Sequence, residues 1–313
     1  MDVLIDTDPG IDDAIALLLT LRSPELEVRG ISVVHGNVPV DAGTANVFKV
    51  LDLAGRLDVP VARGAAAPLL RPATHAEIVH GRDGLAELMP APEEFSLHED
   101  YGPGFLVHTL EEATAPMTLI TLGPLTNVAV ALLSAPAAVE RIERIVAMGG
   151  AVRAEGNVTP SAEFNVYADP EAAAVVLRSG VPVTLVPLDV TMKAVVAGDV
   201  GRRLAEAGDP VERFVGQLIS HVSGIYGRYY RFDGMAMHDP LAVAVAVEPS
   251  LVTTEHVHVD VETGSGLAAG RTIADFWNIP EPWGEPNADV ALEVDAERFD
   301  ELLWTRLLGR YPP

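Results

Sequence analysis

Four carboxylates fall within eight residues near the start of the chain, in Asp6-Thr7-Asp8-Pro9-Gly10-Ile11-Asp12-Asp13. Like charges this close repel one another unless a cation sits among them. Pro9-Gly10 forces a turn, so the acids before and after it can converge. An acid also favours a helix N-terminus, and capping plus a solvated turn accounts for one or two of the four. The remainder points to all-oxygen ligation of a hard ion such as calcium or magnesium.

The elements that must position these acids can be read from the pattern around them. Short apolar runs recur, each followed by a helical pattern. Residues 3–5 lead into 14–21, 28–34 into 42–54, and 118–121 into 125–133. Residues 145–148 form a further strand ending in Gly149-Gly150. A helix over 170–179 carries Pro at its first turn and precedes a strand over 183–186. Strands alternating with helices predict an α/β fold: a single-domain, Rossmann-like open sheet, mostly parallel, with helices on both faces. In such sheets ligands bind beyond the C-terminal ends of the strands. The unusual polar residues sit there, after Ile5, Val34, Thr121 and Met148. Residues 257–261, where Asp and His alternate with Val, read as a more exposed strand, and residues 89–92 as a surface loop. No repeat or linker divides the chain, so residues 1–313 are expected to form one domain.

Composition narrows the function. The chain has 313 residues, a formal charge of −24, no Cys and 49% hydrophobic residues. That apolar fraction excludes a disordered chain, and the length is ample for a sizeable core. The negative field disfavours nucleic acid polymers and anionic membranes. Absence of Cys removes disulfides, thiolate metal sites and Cys nucleophiles. Only two Lys occur, Lys49 and Lys193, the other basic residues being Arg. The acids at 6, 8, 12 and 13 interrupt any secretory signal, and no run approaches the roughly 18 apolar residues of a membrane helix, so a cytoplasmic protein is expected.

Two other acid patterns fail. An EF-hand loop starting at Asp6 wants Gly sixth and Glu twelfth, but the chain has Ile11 and Leu17. Asp6-Thr7-Asp8 fits the Asp-x-Asp of haloacid-dehalogenase-type phosphatases, but its continuation does not. Asp6-Thr7-Asp8-Pro9-Gly10-Ile11-Asp12-Asp13-Ala14 instead resembles the N-terminal signature of the inosine-uridine-preferring nucleoside hydrolase family. His35-Gly36-Asn37, Gly123-Pro124-Leu125-Thr126-Asn127, Met148-Gly149-Gly150, Gly156-Asn157-Val158-Thr159-Pro160, Ala162-Glu163-Phe164-Asn165 and His238-Asp239-Pro240 are similar to its later motifs, in order along nearly the whole chain.

The resemblance implies hydrolysis of the N-glycosidic bond of ribonucleosides to ribose and free base. The transition state would resemble an oxocarbenium ion, with water activated on one face and the leaving base stabilised on the other. By resemblance, Asp8, Asp13, Asp239 and the backbone carbonyl of Leu122 would bind Ca2+. Asp8 would also be the general base, Asp12 would accept from the 2′-hydroxyl and Asn165 would hold the 3′-hydroxyl. Asn157 and Glu163 would bind the 5′-hydroxyl. Asn37 and Met148 would lie near the metal and sugar, Phe164 would pack against sugar or base, and Asp6 would orient the ligands from behind. His238, beside a ligand, would protonate the leaving base. His80, in Val79-His80-Gly81-Arg82-Asp83-Gly84-Leu85, would touch the base.

The segment 221–232 concentrates aromatics in a chain with only 5% of them. On a helix, Tyr226 and Tyr230 share a face, either as a core stripe or as a wall stacking on the base. The expected partner is a neutral nucleoside, because a nucleotide phosphate would meet carboxylates and no Lys. The resemblance further implies a homodimer or homotetramer. A calcium-dependent nucleoside- or ribose-binding protein without turnover, and a magnesium phosphohydrolase, are the alternatives.

Overall fold

Ile5 pairs with Ile31 on one side and with Ile120 on the other, and both neighbours run parallel to it. This triplet lies inside a nine-stranded sheet. The fold comes from a computed structural model that describes residues 1–92, 95–229, 231–277 and 283–312. The strands are β1 (Asp2–Thr7), β2 (Glu27–Val33), β3 (Val61–Arg63), β4 (Met117–Thr121), β5 (Ile142–Met148), β6 (Val183–Val186), β7 (Val195–Ala197), β8 (Gly234–Ala236), β9 (Val252–Val261), β10 (Thr272–Asp275) and β11 (Ala288–Val294). The sheet order is β10-β9-β11-β6-β5-β4-β1-β2-β3, and β7 pairs separately with β8. From β3 across to β11 every pairing is parallel; β9 and β10 are antiparallel.

The alternation of side chains along β1 shows how the sheet is covered. Val3 and Ile5 enter one buried cluster and Leu4 the other. The first cluster holds the helices Ile11–Leu21, Val40–Ala54, Pro210–Tyr229, His238–Val247 and Ala296–Leu308. The second holds Gly102–Glu112, Thr126–Ser134 and Pro170–Leu177. The sheet is therefore doubly covered, which explains the near-continuous apolar runs of the parallel strands. The helix His238–Val247 is buried on all sides from His238 to Ala246.

The chain order creates a crevice. From β1 it proceeds outward to β2 and β3, then returns to β4 on the opposite side of β1 and continues to β5 and β6. Loops leaving the C-terminal ends of β1 and β4 thus diverge, as ligand-binding crevices of open α/β sheets require. Among the described residues, no helix is long and apolar enough to cross a membrane. The strand expected at 257–261 is the second half of β9, but it is not the exposed part: Val257, Val259 and Val261 are buried, and the exposure falls on Thr253, Thr254, Glu255 and His256 in the first half.

Candidate active site

β1 ends at Thr7, and Asp8, Pro9 and Gly10 turn the chain into the helix Ile11–Leu21. Asp13 folds back over this turn. Its Oδ1 accepts from the Thr7 hydroxyl, and its Oδ2 accepts from the Gly10 amide at 2.9 Å and from Asn37 Nδ2 at 3.0 Å. Asp8 is held from the other side, where Oδ2 accepts from the Asn37 amide at 2.7 Å. Its Oδ1 is buried with no hydrogen-bond partner among the described residues. Two glycines enclose this carboxylate. A Cβ on Gly36 would lie 1.9 Å from Asp8 Oδ2, and one on Gly123 would lie 2.5 Å from Oδ1.

The helix His238–Val247 packs on the helix Ile11–Leu21 and brings Asp239 to the same place. One oxygen each of Asp12, Asp13 and Asp239 lies within 4.8 Å of the others. Both helices present their N-terminal first turns here, where the dipole favours negative charge. That does not offset the cost of burying these acids together. Burial, and then repulsion from its carboxylate neighbours, pushes Asp8 and Asp239 well above the usual carboxylate range. The same two causes push Asp12 up to about 7, and burial raises Asp13. A hard cation would relieve both. The unpartnered Asp8 oxygen and the oxygen-only donor set fit one, so these residues could hold a divalent metal.

Asp6 stands one residue pair further back, wholly buried. Its Oδ1 accepts from the Ser32 hydroxyl and from Asn127 Nδ2 at 2.8 Å, while Oδ2 has no partner among the described residues. Burial pushes its pKa up to about 7. Asn127 also donates to the Val33 carbonyl at 3.1 Å and accepts from the Ala65 amide at 2.8 Å. One amide thereby ties the ends of β1 and β2 to the segment after β3.

On the second side of the crevice, Asn165 Nδ2 donates to the Leu122 carbonyl at 2.6 Å and to the Met148 carbonyl at 3.2 Å. A carbonyl has two lone pairs, so the Leu122 oxygen keeps one free for a ligand. Glu163 caps the short helix Phe164–Ala168. It accepts from the amides of Asn165 (2.8 Å), Gly150 (2.9 Å) and Val166 (3.1 Å), which leaves its carboxylate little spare capacity. Asn157 Oδ1 accepts from the Phe164 amide at 2.9 Å and shapes the same loop.

Burial keeps the His238 and His80 imidazoles neutral. His238 is pushed down to about 4 and His80 to about 3. Thr191 Oγ1 lies 2.7 Å from His238 Nδ1, so Nε2 is the nitrogen left to face a ligand. His80 Nδ1 accepts from the Ile11 amide at 3.0 Å, which puts the ring proton on Nε2. His221 contributes to lowering His80, and its own Nε2 is buried with no partner among the described residues. Tyr226 is partly buried against the core, its ring centroid 6.2 Å from that of Phe232. Tyr230 lies outside the described residues.

The structure thus gathers Asp8, Asp12, Asp13, Asn37 and Asp239 around one point, with Leu122, Met148, Glu163, Asn165 and Asn157 linked along the neighbouring loop. Sequence reading missed Thr191 and His221. Thr191 precedes its partner by 47 residues, and His221 is one of nine His with no local motif, so only the fold could single them out.

The chain matches the model of the inosine-uridine preferring nucleoside hydrolase family over residues 3–301. It is 41% identical over 310 residues to the pyrimidine-specific ribonucleoside hydrolase RihA of Salmonella typhimurium, covering 98% of each chain. Among solved structures, a plant nucleoside hydrolase superposes with a TM-score of 0.91 at 33% identity, covering 99% of both chains. The purine-preferring ribonucleoside hydrolase from Gardnerella vaginalis superposes with a TM-score of 0.91 at 32% identity, covering 99% of this chain and 98% of that one.

Proposed function

The chain belongs to the inosine-uridine preferring nucleoside hydrolase family and is a ribonucleoside N-glycosyl hydrolase; from that premise we propose a calcium-dependent enzyme in which Asp8 is the general base and His238 serves the leaving base. Residues 1–313 act as one domain. Asp8, Asp13, Asp239 and the Leu122 carbonyl hold the calcium. Once bound, the ion supplies Lewis-acid polarisation and a template for hydroxyls and water.

The chain's own groups do the rest. Asp8, held through Oδ2 by the Asn37 amide, takes the proton of the attacking water. Asp12 accepts from the ribose 2′-hydroxyl and Asn165 holds the 3′-hydroxyl, so C1′ is aligned with the water. Asn157 and the residual acceptor capacity of Glu163 receive the 5′-hydroxyl, and Met148 and Phe164 flank the sugar. His238 is oriented through Nδ1 by Thr191 and offers Nε2 to the departing base, with the Nε2–H of His80 as a second donor. These donors meet negative charge as it develops on the base in an oxocarbenium-like transition state. Tyr226 is proposed to wall the base.

The observation that carries this reading is the buried, unpartnered Asp8 oxygen beside three converging carboxylates. The relatives named pyrimidine-specific favour uridine and cytidine as the faster substrates. The test is ribose release from inosine, adenosine, uridine and cytidine, with calcium and with chelator. No release from any of them with calcium present sinks the proposal. Tight nucleoside binding without turnover supports a binding protein, and phosphate release from a nucleotide without base release supports a phosphohydrolase.

A further inference from the structure

We infer that Asn46 and Lys49, one turn apart on the helix Val40–Ala54, are positioning residues that clamp the loop carrying His80 onto the turn carrying Asp8, Asp12 and Asp13. This rests on the reading of His80 as a base-side donor. The clamp joins the two halves of the reaction, the activated water and the leaving base, into one rigid unit.

Asn46 is fully buried, and its single amide group spans the two segments. Nδ2 donates to the Pro9 carbonyl at 3.0 Å, in the acid turn, and to the Asp83 carbonyl at 2.5 Å, in the loop after His80. Its Oδ1 is buried with no partner among the described residues. A buried orphan acceptor of this kind is costly and calls for a reason beyond packing.

Lys49 supplies the second point. Its Nζ donates to Asp83 Oδ2 at 2.7 Å, with 7% of the Lys side chain and 28% of the Asp side chain exposed. A mostly buried ion pair is weak evidence for stability, because desolvation offsets much of the attraction. What the pair does visibly is fix a loop. Asp83 Oδ1 accepts from the amides of Leu85 and Glu87, both at 2.9 Å.

That loop is strained. Ala86 and Glu87 both lie in the left-handed region, at φ 55° and 56°. Two successive non-glycine residues there persist only where surrounding contacts over-determine them. Asp83 holds the Glu87 amide, and the Ala86 amide donates to the His80 carbonyl at 3.0 Å. The strain is therefore tied directly to His80, whose ring is pressed against the acid turn. A Cβ on Gly10 would lie 2.5 Å from His80 Nδ1.

The test compares two substrates in calcium: the nucleoside the wild type turns over fastest, and 4-nitrophenyl riboside, whose leaving group needs no donor. Lys49→Met combined with Asp83→Asn removes both charges without stranding one. The expected result is a fall of at least tenfold in kcat on the nucleoside, with KM and kcat on the nitrophenyl riboside within twofold. Lys49→Arg keeps the ion pair and should stay within threefold on both. Should the double variant fail to fold, Ala86→Gly with Glu87→Gly carries the same comparison, since it frees the loop while relieving its backbone. Its Tm should not drop, yet its nucleoside kcat should fall selectively. Equal losses on both substrates, or no loss on either, overturn the inference. A wild type that cleaves neither substrate defeats the proposed function instead.

Discussion

Replacing Gly36 with Ala tests the placement of Asp8 with the smallest possible change. The added Cβ would sit 1.9 Å from Asp8 Oδ2, whereas real Cβ contacts stay beyond 3.0 Å. The carboxylate must therefore shift by about 1.1 Å, the difference between those two distances. Room on the far side is limited too, since even one added Cβ on Gly123 would come within 2.5 Å of Oδ1. A displacement of about 1 Å at a reacting group costs on the order of 100-fold in rate, or about 2.7 kcal/mol of transition-state stabilisation. The ribose contacts assigned to Asp12 and Asn165 are untouched, so kcat should fall while KM changes little. The assay is ribose release at calcium concentrations raised until the rate no longer increases, with circular dichroism to confirm the fold. Gly104→Ala is the control, since its Cβ would meet nothing within 4 Å. A Gly36→Ala enzyme whose kcat stays within threefold of wild type, with the fold intact, refutes the geometry assigned to Asp8.

His238→Ala should slow nucleosides far more than 4-nitrophenyl riboside; matching losses on both would remove His238 as the group serving the base. Chelated protein should lose thermal stability as pH rises from 5 to 7. Asp12 has its folded pKa raised to about 7, so its contribution is full below the unfolded value near 3.8 and gone above about 7. Saturating calcium should flatten that slope, and a slope unchanged by calcium in thermal melts would argue against metal ligation here. Asn127→Ala strands the Ala65 amide and takes one hydrogen bond each from the Asp6 carboxyl and the Val33 carbonyl, which keep the Ser32 hydroxyl and the Gly64 amide. It should cost about 3 kcal/mol in urea unfolding, and a cost under about 0.5 kcal/mol would show that those groups find other partners.

Where the sequence was legible, the reason is local physics. The apolar runs before Asp6, after Glu27 and before Leu122 are strands because they are buried on both faces, and the polar residues of the site follow them because loops leave the sheet there. The meeting of Asp239 with Asp12 and Asp13 was another matter. It depends on two helices packing across more than two hundred residues of chain, and only the family resemblance anticipated it. Lys49 carried no signal of its own, because nothing in the sequence near it shows that Asp83 folds against its helix. Polar Thr253 to His256 hid the first half of β9, an outer antiparallel strand with one solvated flank. The aromatic segment 221–232 could be read as core or as wall, and Tyr226 does lie partly buried against the core.

Residues 241–247, Leu-Ala-Val-Ala-Val-Ala-Val, alternate with a period of two and would pass for a strand, yet they form the helix that follows His238 and Asp239. Burial of residues 241–246 among other elements keeps them helical. Released from that setting, the same seven residues have the traits of a self-associating β segment: apolar, with Val at 243, 245 and 247, uncharged and free of Pro and Gly. Asp239 and Pro240, immediately before them, are the kinds of residue that interrupt such assembly. Partial opening of this helix would therefore expose an aggregation-prone segment. Whatever holds Asp239 in place, in the first turn of that helix, also guards the protein's shelf life.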